Sequence, residues 1–218
     1  MPEIEKHWNK ENIKFDAVYT GYLGSAKQIA YVKEIVATSK NGNAPFVVDP
    51  AMADHGKLYA GFDDVFVQEM KELCKIADYL LPNITEACLL TGVEYREEYD
   101  REYIDKILKK LCDMGCKNII MTGITYKKDT TGIVIMENGV YNYYEHIKLP
   151  RICHGTGDIY ASCFFGALMN DFNLQESMKI AVDFTVDAIL KTVDDRNEHW
   201  YGVHFEAVLP NLIKAISN

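Results

Sequence analysis

Apolar residues along this chain come in two patterns that take turns: short unbroken runs, and longer stretches where they recur every three to four positions. The first pattern predicts buried strands and the second amphipathic helices. "FDAVYTG", with Phe15, Ala17, Val18 and Tyr19 ending at Gly21, reads as a strand, and Ser25 is placed to cap the helix that carries Ile29, Val32, Ile35 and Val36 up to the "NGN" break. "PFVVDP" is a second strand, stopped by Pro50. A long loop with Gly56 and Gly61 then leads to a helix from about Asp63 to Ala77. "DYLLP" is a third strand, "TEACLLTG" and "YIDKILKKLCDMG" are helices, and "NIIMTG" is a strand again. "TGIVIMENGVYNYYEHI" changes the rhythm to two alternating runs joined at Asn138-Gly139, which predicts a hairpin with a type I′ turn. From Thr156 through "SMKIAVDFTVDAILKTV" to "FEAVLPNLIKAI" the chain reads as helical.

Strand and helix in alternation imply an α/β fold with a mostly parallel sheet covered on both faces, because each parallel connection needs a crossover. Ligands of such sheets sit beyond the carboxyl ends of the strands. Function is therefore expected at Tyr22, Asp49, Asn83, Glu86, Thr122 and Gly123, a polar and acidic set that follows the predicted strands. No internal repeat or linker divides the 218 residues, so a single domain over 1–218 is expected. A net charge of -9 argues against nucleic acid or an anionic membrane as the main partner. The 6 cysteines form no CxxC pair and most sit in apolar helical patterns, which suits a reducing, cytoplasmic setting. No signal peptide and no apolar run of bilayer length is visible in these residues, and neither GxxxxGK[ST] nor GxGxxG occurs.

The stretch "HGTGDIYASCFFGAL" sets an acid directly behind two glycines and a threonine at the mouth of an apolar helix. Gly155 and Gly157 allow successive N–H groups to turn inward at the helix start, where the positive end of the helix dipole adds to them. Such a cradle suits a phosphate or a transferring phosphoryl group, and Asp158 in the same turn is placed to take a proton from an attacking hydroxyl. The plainer alternative is a helix cap, with Thr156 or Asp158 satisfying the free N–H groups.

Taken together, "HGTGD", "VVDPAMADHGKLY" and "LLPNITEACLLTG" resemble the pyridoxal kinases, in the vitamin-kinase branch of the ribokinase-like superfamily, in the family's order along the chain. The resemblance implies a ribokinase-like three-layer α/β sandwich and an ATP-dependent kinase that phosphorylates the 5′-hydroxymethyl group of a vitamin B6 vitamer. It makes Asp158 the base and Gly155, Thr156 and Gly157 the anion hole. It gives Asp49, Asn83, Glu86, Thr122 and Gly123 to the nucleotide, and Asp49, Asp54 and Glu86 to Mg2+, with a monovalent cation as a further ion. Tyr22 in "TGYLGS" becomes a contact of the pyridine ring, with Cys153, His154 and Asp158 also on the substrate. The partners implied are ATP, the vitamer and a second copy in a homodimer. The Ala51–Gly61 loop is implied as the lid. A hydroxymethylpyrimidine kinase shares the GTGD-type anion hole, and a nucleotide-binding fragment without catalysis is the alternative outside enzymes. Two features depart from the pattern: Ala53 stands where glycine usually precedes the second acid, and Thr122-Gly123-Ile124 carries fewer hydroxyls than usual. Family members also begin with a strand, a helix and a small hairpin ahead of the segment that "MPEIEKHWNKENIKFDAVYTG" resembles. The expectation is that these are missing before Met1 and that the vitamin side of the pocket is the part they leave open.

Several of these residues also have plainer readings. Cys153 is either a thiol within reach of an aldehyde substrate or a small hydrophobe under the helix. His154 either steadies the substrate's phenol oxygen, or fixes backbone or faces solvent. Cys112 and Cys116 lack a nearby His pair and read as packing. "YREEYDREY" reads as a solvated, charge-laced helix start, and Tyr141, Tyr143 and Tyr144 as sheet-face packing or adenine-side cover.

Overall fold

The computed structural model describes residues 1–137, 139–149, 153–195 and 201–217. They fall into two compact units, Met1–His146 and Ile147–Asn218. The first unit runs α1 (Pro2–Lys10), β1 (Val18–Thr20), α2 (Ala26–Ser39), β2 (Phe46–Val48), β3 (Ala53–Asp54), β4 (Lys57–Leu58), α3 (Asp64–Cys74), β5 (Tyr79–Leu80), α4 (Ile84–Thr91), α5 (Arg101–Asp113), β6 (Asn118–Ile124), β7 (Thr130–Glu137) and β8 (Val140–Ile147). A 6-stranded sheet has the order β1-β2-β5-β6-β7-β8. Its first four strands are parallel, and β7 turns antiparallel against β6.

The helix starts follow the sequence signals. Ser25 Oγ accepts the Gln28 N–H, Asp63 caps α3 through the Phe66 N–H, and Asp100 caps α5 through the Tyr103 N–H. The apolar stripes of α2 (Ile29, Val32), α3 (Met70, Leu73), α4 (Leu90) and α5 (Ile104, Ile107, Leu111) share one core with Phe46, Val48, Leu80, Ile119 and Met121 of the sheet. Val47, between two residues that face this core, is buried as fully as they are, the pattern of a parallel strand covered on both sides.

The structure corrects one sequence expectation and refines another. The segment after β2 is not a plain loop: β3 and β4 form a two-stranded ribbon pairing Ala53 with Leu58 and Asp54 with Lys57, closed by His55 and Gly56 at φ 48 and 75. Two successive positive φ angles are the geometry of a type I′ turn, and histidine in the first position is a weaker signal than Asn-Gly. In "YREEYDREY" the charged side chains are exposed, but the tyrosines are covered. Tyr99 stacks on Tyr103 and meets Tyr126 edge-on, Tyr126 meets Tyr143, and Arg101 lies 5.4 Å over the Tyr126 ring. Tyr143 is thus sheet-side packing.

Gly139 follows β7 with φ 80, whereas its expected turn partner Asn138 lies outside the described residues. Gly132 in β7 is demanded by a close approach, since a Cβ there would fall on the Tyr144 carbonyl oxygen and 2.8 Å from the Tyr143 ring. Gly132→Ala is expected to cost about 1–3 kcal/mol through overpacking, read as a lowered urea midpoint; an unchanged midpoint would remove this constraint.

The second unit holds α6 (Thr156–Leu168), α7 (Leu174–Asp194), a 3₁₀ turn (Phe205–Val208) and α8 (Leu209–Ile216). Phe184 and Ala188 of α7 pack with Val203 and Val208, with Cys153, Ile159 and Cys163 against them. No described helix is long and apolar enough to cross a membrane.

Candidate functional site

Parallel pairing lines up the carboxyl ends of β1, β2, β5 and β6 on one edge of the first unit. Thr20 lies opposite Val48 and Val48 opposite Leu80, while Asn83 forms a bridge with Thr122. The edge therefore carries Tyr22, Asp49, Asn83 and Thr122 in strand order. Asp49 is half-buried; its Oδ1 accepts the Ala51 N–H at 3.1 Å and its Oδ2 accepts the Tyr19 hydroxyl at 3.5 Å. The β6 register shifts between Met121 and Ile124, so Thr122 and Gly123 form a bulge there, with Gly123 at φ 73. Bulges at strand ends re-aim side chains, a common device beside binding sites. Tyr22 projects beyond β1 with 61% of its surface exposed.

Asn83 and Glu86 open α4 as a capping box, each side chain accepting the other's backbone N–H. The same residues hold the ribbon. Glu86 Oε1 accepts the Met52 N–H at 3.0 Å, Asn83 Nδ2 donates to the Ala53 carbonyl at 2.8 Å, and Thr85 Oγ1 accepts the Gly56 N–H at 3.0 Å. Glu86 is only 2% exposed, and its carboxyl pKa is pushed up to about 8, first by burial and then by the charge of Asp49, against the lowering effect of its backbone hydrogen bonds. Thr85 was not singled out from the sequence, where a threonine at the start of a helix carries no special signal. Asp54 sits exposed on the ribbon, with Oδ1 accepting the N–H of His55 at 2.8 Å. The structure does not gather Asp49, Asp54 and Glu86 into one cation site: among the described residues no three Asp, Glu, His or Cys side chains converge to hold a metal ion. The reason is visible in their bonds, since Glu86 spends both oxygens on backbone N–H groups.

In the second unit, Gly155 precedes α6 in the left-handed region, with φ 76 and ψ 5, and no side chain caps the helix. Thr156 Oγ1 instead bonds back to the Cys153 carbonyl at 3.4 Å, so the plain capping alternative does not describe this terminus. The first bond of the helix runs from the Ile159 N–H to the Gly155 carbonyl at 3.1 Å, which leaves the amides of Thr156, Gly157 and Asp158 without a partner inside the helix. Asp158 is exposed in that first turn. A cavity of about 460 Å³ adjoins the terminus, with His154, Gly155 and Ile159 on one side and the stretch from Tyr201 to Glu206 on the other. The lining by Tyr201, Val203 and Phe205 was not foreseen, because nothing in the sequence distinguishes this stretch from a helix connection. Cys153 packs against the Phe184 and Val203 cluster, as a small hydrophobe does.

A family model described as phosphomethylpyrimidine kinase matches residues 6–201. The chain belongs to this kinase family. A pyridoxal kinase of Arabidopsis thaliana is 32% identical over 84% of this chain and 61% of its own length, and a hydroxymethylpyrimidine/phosphomethylpyrimidine kinase of Bacillus subtilis is 27% identical over 89% of this chain and 71% of its own. A family structure from Bacteroides thetaiotaomicron, in a crystal form with pyridoxal, is 32% identical and superposes with a TM-score of 0.90 over 97% of this chain and 76% of its own. The fold is thus the ribokinase-like α/β fold, as expected. The chain spans about half to three-fifths of the length of curated pyridoxal kinases it matches.

Proposed function

We propose that the protein transfers the γ-phosphoryl group of ATP to the hydroxymethyl group of a vitamin B6 vitamer. The observation that carries this reading is the start of α6, an uncapped helix N-terminus entered through a left-handed glycine with a carboxylate in its first turn. The amides of Thr156, Gly157 and Asp158 supply donors for a phosphoryl group whose negative charge spreads over its outer oxygens during transfer. Asp158 takes the proton of the substrate hydroxyl. The freed oxygen bonds to the γ-phosphorus as the bond to the bridging oxygen breaks, and ADP departs. The cavity beside this terminus, with Tyr201 and Phe205 in its wall, suits the nucleotide, and the exposed ring of Tyr22 suits a flat heterocycle. A relative crystallised with pyridoxal at 32% identity supports the choice of substrate.

The family description and the Bacillus relative favour a second reading, hydroxymethylpyrimidine as acceptor, which uses the same chemistry at α6. ADP formation with pyridoxal, pyridoxine, pyridoxamine and hydroxymethylpyrimidine, each product placed by phosphorus NMR, separates the two. The proposal expects the three vitamers to be converted at the 5′-hydroxymethyl oxygen. Turnover with the pyrimidine alone would replace it, and turnover with none of them would overturn both.

A further inference from the structure

Phe62 sits between β4 and α3, directly before the cap residue Asp63, a position from which an apolar side chain packs on the first turn of the helix. Its ring lies flat on Phe66, with centroids 3.9 Å apart and planes 4° apart. Phe66 is buried in α3 and belongs to the core, so Phe62 rests on a fixed support. Phe62 also meets Tyr22, with centroids 5.5 Å apart and planes inclined by 34°. The three rings form a row leading from the core to the exposed tyrosine at the end of β1. Glycines 21 and 24 flank Tyr22, so its own backbone does little to fix the ring. A ring held in place before its ligand arrives avoids the ordering cost of binding.

We infer that Phe62 is a positioning residue that holds the Tyr22 ring ready for the face of an aromatic substrate. It thereby sets affinity for the ring while leaving phosphoryl transfer alone. This rests on the kinase reading above, with Tyr22 as the ring contact.

The test combines steady-state kinetics with pyridoxal binding by difference absorbance, for the parent, Phe62→Ala, Phe62→Tyr, Tyr22→Ala and the Tyr22→Ala/Phe62→Ala double variant. Phe62→Ala is expected to raise KM and Kd for pyridoxal about two- to tenfold, the range of an aromatic pair, with kcat and the KM for ATP nearly unchanged. Phe62→Tyr should restore parental values. Once Tyr22 is removed, loss of Phe62 should add nothing, whereas a purely structural role would give additive effects. Phe62→Leu, which keeps apolar bulk without a flat ring, serves if the alanine variant does not fold, with the same rise expected. In a parent that converts pyridoxal, an unchanged pyridoxal KM in Phe62→Ala, or additivity in the double variant, would overturn the inference alone. A parent that neither binds nor converts any vitamer would overturn the vitamin B6 reading beneath it.

Discussion

Asp158→Asn is expected to lower turnover by about two to four orders of magnitude, the range that a positioned general base supplies. In barrier terms this is about 2.7–5.4 kcal/mol. The substitution is clean because Asp158 is exposed in the first turn of α6 and holds no helix cap, so no buried partner is orphaned. The one structural loss is a negative charge near the positive end of the helix dipole, worth about 0.3–1 kcal/mol. Asparagine keeps the size of the side chain and leaves the amides of the cradle untouched. Turnover should therefore fall while the urea midpoint and nucleotide affinity move little, and the loss should appear in kcat. Measured activity within a few-fold of the parent would take the base role from Asp158. A fall in kcat matched by a collapse in stability would instead make the acid a structural residue.

How much could be read from the chain varies with how local the cause is. The succession of strands and helices followed from apolar spacing, and the start of α2 from its cap residue Ser25, because those signals act within a few residues. The ribbon at Ala53–Leu58 escaped because its turn uses His55 in the left-handed region, where Asn or Gly is the usual marker. The tyrosines of "YREEYDREY" looked solvated among so many charges; their cover comes from Tyr126 and Tyr143, far along the chain. The Asn-x-x-Glu pattern is the sharpest case. It occurs three times: Asn142–Glu145 lies within β8, and of the other two the first, Asn83–Glu86, and the second, Asn173–Glu176, each form a capping box. The second is exposed and bonded as a cap at the start of α7, whereas the first has a buried glutamate and a half-buried asparagine, both bonded to the segment of the ribbon. Spacing alone could not tell them apart, because the difference lies in what tertiary structure brings to the helix start. Phe62 escaped for the same reason, its neighbour Tyr22 being remote in sequence.

Removing the Glu86 carboxyl group should be costly to the first unit. Its two oxygens accept the N–H groups of Met52 and Asn83 at 3.0 and 2.9 Å, in a place that water barely reaches. Glu86→Ala leaves both donors unmatched, at about 1–3 kcal/mol each, a large part of the roughly 5–15 kcal/mol that holds a typical domain folded. Glu86→Gln keeps one carbonyl oxygen for one of them and turns an NH₂ group toward the other, so about half the loss is expected. The ribbon should loosen with the clamp, since Met52 leads directly into β3, and amide exchange at Ala53 to Leu58 should quicken in the alanine variant. Urea titration then separates a clamp from an ion ligand. A clamp predicts midpoints in the order parent, Gln, Ala, with the magnesium requirement for turnover nearly constant in the glutamine variant. An ion ligand predicts parental midpoints in both variants and a magnesium titration displaced to higher concentration, and that result would give Glu86 the magnesium role that the family resemblance implies.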